Sequence, residues 1–312
     1  MTIPFSKVAI YMAGFWLRKL DWDVLLLCSF WMLTTSVLLA DNKQATTSIP
    51  IEIIGHVIFV KASVNDRGPF TFIIDTGATE TVITPQSAKR AGITAIGTGN
   101  KKKGTAKSIS VGNFMVRDLP VIIFDPPQAL SLRLDKGVDY SGILGYTFLS
   151  HFITTINYRE LTINFLPPQA VASDENTLLP AGIKVPLELK ERLIFVKGKI
   201  NDAGPYRFIV DTGSAEVLLL PDVAKALKLD IKPMPGYENV WFTHLRTLSI
   251  ENAQASNVPT VIRPIPEDRY TKYAYAGIIG TPFLTNFIVS VDYKDAVLIL
   301  TPYNEEERKT DR

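Results

Sequence analysis

The feature that most constrains this chain is an internal repeat. Residues 58–89 align without a gap to residues 194–225, and 17 of these 32 positions are identical. A second block, residues 142–158, aligns to residues 277–293 with eight identities in 17 positions. The copies are 136 residues apart in the first block and 135 in the second, so both halves keep one internal layout. Such self-similarity indicates that one structural unit is built twice in this chain.

The repeat also predicts how the chain divides. The predicted parts are an N-terminal targeting segment (residues 1–45), a first lobe (residues 46–168), a linker (residues 169–183) and a second lobe (residues 184–312). The join between the lobes is polar and contains proline, which is typical of linkers.

Each half has the sequence pattern of short β-strands. Two apolar, β-branched runs flank Asn-Asp-X-Gly-Pro at residues 65–69 and again at residues 201–205, which predicts a hairpin. Later, residues 152–166 and 287–301 alternate apolar and polar side chains about a central turn, which predicts another hairpin. Short helical patterns follow prolines 85 and 221, because proline is favoured in the first turn of a helix. The predicted fold class is therefore all-β with short helices.

Composition and motifs exclude several classes of function. The chain has 33 Lys and Arg against 31 Asp and Glu, so it has no basic excess for nucleic acid and we expect no nucleic-acid partner. Its one cysteine, Cys28, leaves the rest of the chain without a disulfide, a thiol nucleophile or a cysteine zinc site. The three histidines lack metal-ligand spacing, and neither a serine-hydrolase elbow nor a glycine-rich phosphate loop is present. We expect no metal and no cofactor.

The N-terminal segment has a targeting pattern. From Val24 to Ala40 the chain is uncharged for 17 residues, and Arg18 and Lys19 precede this run, as in an export signal. The same length is at the lower limit for a membrane-spanning helix. A cleaved signal peptide and a membrane anchor over residues 24–40 both stay open, with a buried core helix as a third reading. Because the basic side stays cytoplasmic, we expect the lobes to be exported, periplasmic or extracellular, or anchored facing away from the cytoplasm.

Both copies of the first block contain Asp-Thr-Gly directly after an apolar run. A single copy could be a capped turn, since all three residues are common in turns. Two copies in matching repeats would bring Asp75 and Asp211 face to face if the halves pair about a pseudo-twofold axis. Two facing carboxylates do not both ionise easily, so the pair would offer an acid and a base together. Such a pair can activate water for attack on an amide carbonyl.

These motifs resemble those of the aspartic proteases, and of the retropepsin-like group more than the pepsin group. The match consists of an apolar pair before Asp-Thr-Gly-Ala/Ser, an apolar strand after it, and a later apolar-apolar-Gly at residues 143–145 and 278–280. The resemblance covers residues 51–302. It implies two homologous β-barrel lobes related by a pseudo-twofold axis, like a fused retropepsin dimer. One chain would then suffice for one site, as a monomer; dimerisation of each half between chains is the other arrangement.

The resemblance implies roles for the matching residues. Asp75 and Asp211 would be catalytic, and the apolar-apolar-Gly segments would pass beneath their loops. The residues that support the catalytic loops would be Thr76, Gly77, Ala78, Thr212, Gly213 and Ser214, with the two threonines locking the loops across the axis.

The family also closes a β-hairpin flap over its substrate. In the first half the candidate flap is residues 97–110, with Gly97, Gly99 and Gly104 giving mobility. In the second half it is the stretch near residues 235–247, which contains Tyr237 and Trp241 instead. Ordinary core or loop packing is the alternative for these aromatic residues.

One difference between the copies leads to a hypothesis about the proton. Ala78 follows the first Asp-Thr-Gly, whereas Ser214 follows the second. A hydroxyl at this place can donate to the catalytic carboxylate and favour its charged form. We therefore expect Asp211 to carry the charge more of the time and Asp75 to keep the proton.

The predicted function is an aspartic-type endopeptidase acting on a peptide or protein substrate. The alternative is a non-catalytic peptide-binding module that retains the fold. Both Asp-Thr-Gly sequences are intact, which favours the enzyme, because binding alone would not require two acids.

Overall fold

The computed structural model of the protein describes residues 48–125, 140–168, 181–265 and 273–303. These ranges belong to one unit, Thr46–Arg312. The targeting segment over residues 24–40 and most of the predicted linker lie outside the described residues. Within the described ranges, no helix is long and apolar enough to cross a membrane.

The first half consists mainly of strands in its described residues. Its strands are β1 (Ile49–Pro50), β2 (Glu52–Ile54), β3 (Val57–Val64), β4 (Arg67–Ile74), β5 (Thr81–Ile83), β6 (Lys102–Val111), β7 (Phe114–Ile123), β8 (Gly142–Leu144), β9 (Ile153–Asn157) and β10 (Thr162–Leu166). Its helices are α1 (Pro85–Ala91) and α2 (Tyr146–Leu149).

The second half repeats this order of elements and adds one short strand, β16 (Lys232–Pro233), after its first helix. Its strands are β11 (Ile183–Pro186), β12 (Glu188–Lys190), β13 (Leu193–Ile200), β14 (Ala203–Val210), β15 (Val217–Leu219), β16 (Lys232–Pro233), β17 (Trp241–Ile250), β18 (Ala253–Ile262), β19 (Gly277–Ile279), β20 (Phe287–Asp292) and β21 (Val297–Pro302). Its helices are α3 (Pro221–Ala226) and α4 (Thr281–Leu284).

Six strands close into a barrel in each half. The order in the first half is β3-β4-β8-β5-β7-β6, and β6 pairs back with β3. The order in the second half is β13-β14-β19-β15-β18-β17, and β17 pairs back with β13. The two orders match strand for strand. The all-β fold with two homologous barrel lobes is therefore confirmed.

A third sheet joins the two lobes. Its order is β1-β10-β9-β20-β21-β11, so β9 of the first half pairs with β20 of the second. In this antiparallel pair Thr155 lies opposite Ser290, and their hydroxyl oxygens are 2.8 Å apart. Thr155 and Ser290 are also equivalent positions in the repeat, so the pseudo-twofold axis passes between them.

Local sequence explains the hairpin that opens each lobe. In the first lobe Asn65 and Asp66 have φ of 52° and 59°, and the equivalent Asn201 and Asp202 have 47° and 72°. Asn and Asp tolerate this left-handed region, which two-residue hairpin turns require. The sequence predicted a turn over residues 65–69 and 201–205, but β4 and β14 begin directly after the Asn-Asp pair. The Gly-Pro pairs therefore lie within strands, where both Gly-Pro peptide bonds are cis.

The helices after the two prolines form as predicted. Helix α1 begins at Pro85, and the side chain of Thr84 caps it by accepting a hydrogen bond from the N–H of Ser87. It ends at Gly92, whose φ of 70° suits glycine. Helix α3 also begins at a proline, Pro221, but Leu220 before it provides no side-chain cap.

Candidate active site

The two Asp-Thr-Gly segments begin where β4 and β14 end. These strands pair in parallel with β8 and β19, which carry the apolar-apolar-Gly motifs. The backbone N–H of Asp75 donates to the carbonyl of Leu144 at 3.1 Å, and that of Asp211 donates to Ile279 at 3.0 Å. Each aspartate is thus anchored at the end of a buried strand pair.

The glycine of each apolar-apolar-Gly motif lies against the Asp-Thr-Gly loop of its own lobe. A methyl group on Gly145 would lie 2.3 Å from the carbonyl oxygen of Glu80 and 2.6 Å from that of Ala78. Only glycine permits this approach of two backbones. The next residue, Tyr146, donates its backbone N–H to Ala78 at 2.8 Å. Gly280 makes the equivalent approach to the carbonyl oxygens of Ser214 and Glu216.

The threonines of the two loops bind each other's backbones. The Thr212 hydroxyl accepts from the N–H of Thr76 at 3.1 Å and donates to the carbonyl of Ile74 at 2.9 Å. The Thr76 hydroxyl accepts from the N–H of Thr212 at 3.0 Å and donates to the carbonyl of Val210 at 2.9 Å. Both threonines are almost fully buried. These four reciprocal bonds hold the two loops together across the pseudo-twofold axis.

Each aspartate carboxylate contacts the glycine of the opposite loop. A methyl group on Gly77 would lie 2.5 Å from Cγ of Asp211, and one on Gly213 would lie 2.6 Å from Cγ of Asp75. Each carboxylate also accepts a hydrogen bond at 2.8 Å from the N–H of the glycine two residues later in its own loop. Both carboxylates therefore lie where the two loops meet, and the glycines leave the space for them.

Comparison with known proteins agrees with this geometry. A family model described as aspartyl protease matches residues 60–148 and 196–283. The chain belongs to the aspartyl protease family. The match has one segment in each lobe, as expected for a tandem retropepsin-like aspartyl protease. No curated protein matches the chain in sequence.

Ser214 of this aspartyl protease family member differs from its predicted role. Its hydroxyl donates to the backbone carbonyl of Glu216 at 3.0 Å and accepts from the N–H of the same residue. A hydroxyl has one proton to donate, and here the proton is used within the loop. The prediction that Ser214 donates to the carboxylate of Asp211 is wrong, and the expected asymmetry between the two carboxyl groups loses its basis.

The glycines of the first candidate flap have two different positions. Gly97 and Gly99 lie in a loop closed by a bridge between Ile96 and Lys103, with φ of 106° and 84° and open space around both. Gly104 is a buried residue of β6, where a methyl group would lie 2.7 Å from the side chain of Ile93. Gly104 is therefore a packing residue and not a source of flap mobility.

The first loop lies beside a cavity that does not include the aspartates. The open cavity, of about 460 Å³, is lined by Gly99 and Asn100 of the loop, by α1 and by the end of β7. Neither Asp75 nor Asp211 lines it.

The two aromatic residues of the second candidate flap lie in different environments. Tyr237 lies in the loop between β16 and β17 and is 66% exposed. Trp241 is the first residue of β17, is half-buried, and packs against the main core. Trp241 thus fits the alternative of ordinary packing, whereas Tyr237 remains free to contact a bound molecule.

Sequence reasoning missed an ion pair between the lobes. Arg192 of the second lobe pairs with Glu80, which follows the first Asp-Thr-Gly by three positions. At the equivalent place in the first lobe the residue is His56. The signal was available, because Glu80 and Glu216 are identical in the repeat while their partners differ: Glu216 pairs with Arg263 of its own lobe.

Sequence reasoning also missed two buried tyrosines near the carboxylates. Tyr158 and Tyr293 follow β9 and β20 and are 6% and 5% exposed. Burial is the main cause that raises the pKa of both, with a smaller contribution from Asp211 in each case and from Asp75 for Tyr293. The available signal was that both are identical end residues of the second repeat block.

The described residues contain no group of three or more His, Cys, Asp or Glu side chains that could hold a metal ion. The loop junction holds the two carboxyl groups and the backbone N–H groups of Gly77 and Gly213 that bind them.

Proposed function

We propose that the chain is an aspartic endopeptidase in which Asp75 and Asp211 act as one catalytic pair. The observation that supports this most is the crossed arrangement, in which each carboxylate contacts the glycine of the opposite loop. The reciprocal threonine bonds fix this arrangement before substrate arrives. A pre-organised site of this kind avoids reorganisation during the reaction.

The pair would work with one proton shared between two carboxyl groups. Two carboxylates this close do not both ionise easily, so one holds the proton while the other is charged. A water molecule between them gives a proton to the charged carboxylate as its oxygen attacks the carbonyl carbon of the peptide. The protonated carboxyl group hydrogen-bonds to the carbonyl oxygen, where negative charge develops.

The resulting tetrahedral intermediate then collapses. The C–N bond breaks, and a carboxyl group of the pair gives a proton to the leaving amine. The products are a new carboxyl terminus and a new amino terminus, and the pair returns to its shared proton. The N–H groups of Gly77 and Gly213 hold the two carboxylates in place throughout. Because the protons belong to the pair, its apparent pKa values describe both groups together.

We also propose a substrate class, an oligomeric state and a location for the protein. The substrate would be a peptide or protein, and one chain with both lobes would suffice for one site. Residues 24–40 would direct the protein out of the cytoplasm or hold it in the membrane. The alternative function is a peptide-binding module with the same fold, which would bind a peptide without cleaving it.

The test is hydrolysis of a mixed peptide library by the purified lobes. Asp75→Asn and Asp211→Asn keep the shape of the side chain and remove its acid, and we expect each to abolish cleavage. Equal cleavage by the parent and either variant would refute the paired mechanism. Peptide binding by the parent without any cleavage would favour the binding module.

A further inference from the structure

A cluster of buried hydroxyls lies on the sheet that joins the lobes. Tyr158 and Tyr293 directly follow the two central strands of this sheet, and both belong to the core that runs through the two lobes. Among the described residues neither phenol hydroxyl has a hydrogen-bond partner, and the same is true of the buried hydroxyl of Thr154. Thr154 lies opposite Val291, two residues before Tyr293, so Thr154 and Tyr293 are diagonal neighbours on one face.

Tyr293 connects this sheet to the first catalytic loop. Its ring contacts the ring of Tyr146 edge to face, with centroids 5.2 Å apart. Tyr146 is the residue whose N–H binds the carbonyl of Ala78 in that loop. The charged groups that act on Tyr293 are Asp75 and Asp211. Arg192, which pairs with Glu80, lies over the ring of Tyr146.

Tyr158 is the equivalent residue of the other lobe. Its backbone N–H donates to the hydroxyl of Tyr303 at 3.2 Å, and that hydroxyl donates to the side chain of Asn157. The groups that face Tyr158 are Tyr303, which Arg159 covers on its ring face, and Asp211. Both phenols thus lie within the electrostatic reach of the catalytic pair, one from each lobe.

Unpaired buried hydroxyls are rare because each loses its hydrogen bonds to water on folding. Two at equivalent positions, with the Thr154 hydroxyl near one of them, call for the same kind of partner. A buried water molecule serves this role in many proteins, since it makes two to four hydrogen bonds to polar groups that lack other partners. Burial keeps the pKa of both phenols above the ordinary value of 10.0, so they stay neutral and able to donate.

We propose that Tyr158 and Tyr293 are positioning residues that hold ordered water beneath the catalytic loops and so favour the charged form of the aspartate pair. A neutral phenol next to a negative charge turns its proton toward that charge, directly or through water. Donation to the charged form lowers the pH at which the pair first ionises. This inference rests on the proposed function, because it assigns the tyrosines an effect on the acid limb of the pH–rate profile of the proposed peptidase.

The test uses Tyr158→Phe, Tyr293→Phe and the double variant, which lose only the hydroxyls. The matched control is Tyr206→Phe, because Tyr206 is half-buried in β14 and the first lobe carries Phe70 at the equivalent position. The measurement is kcat/KM against pH on a peptide that the parent cleaves. We expect the acid limb of the double variant to move up by about half a pH unit or more, and that of the control to stay.

Two further measurements separate this role from a purely structural one. If no water binds the two hydroxyls, each phenylalanine removes an unpaired polar group, and the double variant becomes more stable to urea than the parent. Higher stability with an unchanged acid limb would overturn the proposal. We expect stability that is unchanged or lower, because the water loses partners.

A crystal structure at atomic resolution decides the same question without activity. We expect ordered water within hydrogen-bond reach of each phenol oxygen, and its absence from both would overturn the proposal. If the parent and Asp75→Asn were equally inactive, the proposed peptidase function would fail, while the water positions would still decide whether the tyrosines hold water.

Discussion

Replacing Thr212 by valine tests the bonds that join the two catalytic loops. Valine keeps the branched shape but loses the hydroxyl, so the N–H of Thr76 loses its acceptor and the carbonyl of Ile74 loses a donor. Both groups are buried at the junction of the lobes, because Thr76 and Ile74 are 1% and 0% exposed. An unpaired buried group costs about 1–3 kcal/mol, so the variant should lose about 2–5 kcal/mol of unfolding free energy.

The pseudo-twofold symmetry predicts a similar loss of unfolding free energy for the equivalent change in the first loop. Thr76→Val removes the mirror pair of bonds, to the N–H of Thr212 and the carbonyl of Val210, so its loss should be of similar size. The matched control is Thr260→Val, since Thr260 is also buried but donates only to Val258 within its own lobe. A single neutral hydrogen bond contributes about 0.5–1.5 kcal/mol, so the control should lose less.

The assay is urea unfolding of all three variants and the parent, with the slope of free energy against urea checked for constancy. Peptidase activity of the two loop variants, measured under conditions where they are folded, should fall as well, because each aspartate directly precedes one of these threonines in its loop. A loss of less than about 1 kcal/mol in both loop variants, or a loss no larger than that of Thr260→Val, would refute the reasoning.

Three other outcomes follow from the site. Gly77→Ala should abolish cleavage while the protein stays folded by circular dichroism, because the new methyl group would lie 2.5 Å from Cγ of Asp211; near-parental kcat would contradict the crossed geometry. Ser214→Ala should leave the acid limb of the pH–rate profile unmoved, since this hydroxyl donates to a backbone carbonyl, and a clear shift would restore the asymmetry that the structure argues against. The pKa values of Tyr158 and Tyr293 are higher in the folded protein than in the unfolded chain. Above pH 10 the unfolded chain therefore loses these protons while the folded protein keeps them, which favours unfolding. The free energy of unfolding should therefore fall as pH rises above 10. In the double phenylalanine variant this fall should be smaller, by up to about 1.4 kcal/mol per pH unit for each tyrosine removed. The same dependence of unfolding free energy on pH in the variant and the parent would contradict this expectation.

Much of the fold could be predicted from the sequence, because it depends on local patterns. Apolar and β-branched runs with Asn-Asp turns predicted the opening hairpins, and prolines 85 and 221 predicted the starts of α1 and α3. The repeat then predicted that both halves fold alike, which the matching strand orders confirm. Boundaries within the turns were less accurate, since Gly68 and Pro69 lie in β4.

The candidate site could be predicted in its residues but not in all of its contacts. The doubled Asp-Thr-Gly motif predicted that Asp75 and Asp211 would meet, and the structure places each against the opposite loop. The motif could not show where the Ser214 hydroxyl points, because a side chain with donors and acceptors chooses among neighbours within one loop. Nor could glycine content show that Gly104 fills a packed strand instead of a mobile flap.

The sequence by itself determined that this protein is a doubled all-β unit with one Asp-Thr-Gly motif in each half, because strand alternation, turn residues and repeated motifs act over short distances along the chain. Only the tertiary structure decided how the halves meet: the threonine bonds across the axis, the glycines beneath the opposite carboxylates, and the two buried tyrosines beside them. These contacts join residues about 135 positions apart. Their geometry depends on how two barrels share one sheet, which no local pattern encodes.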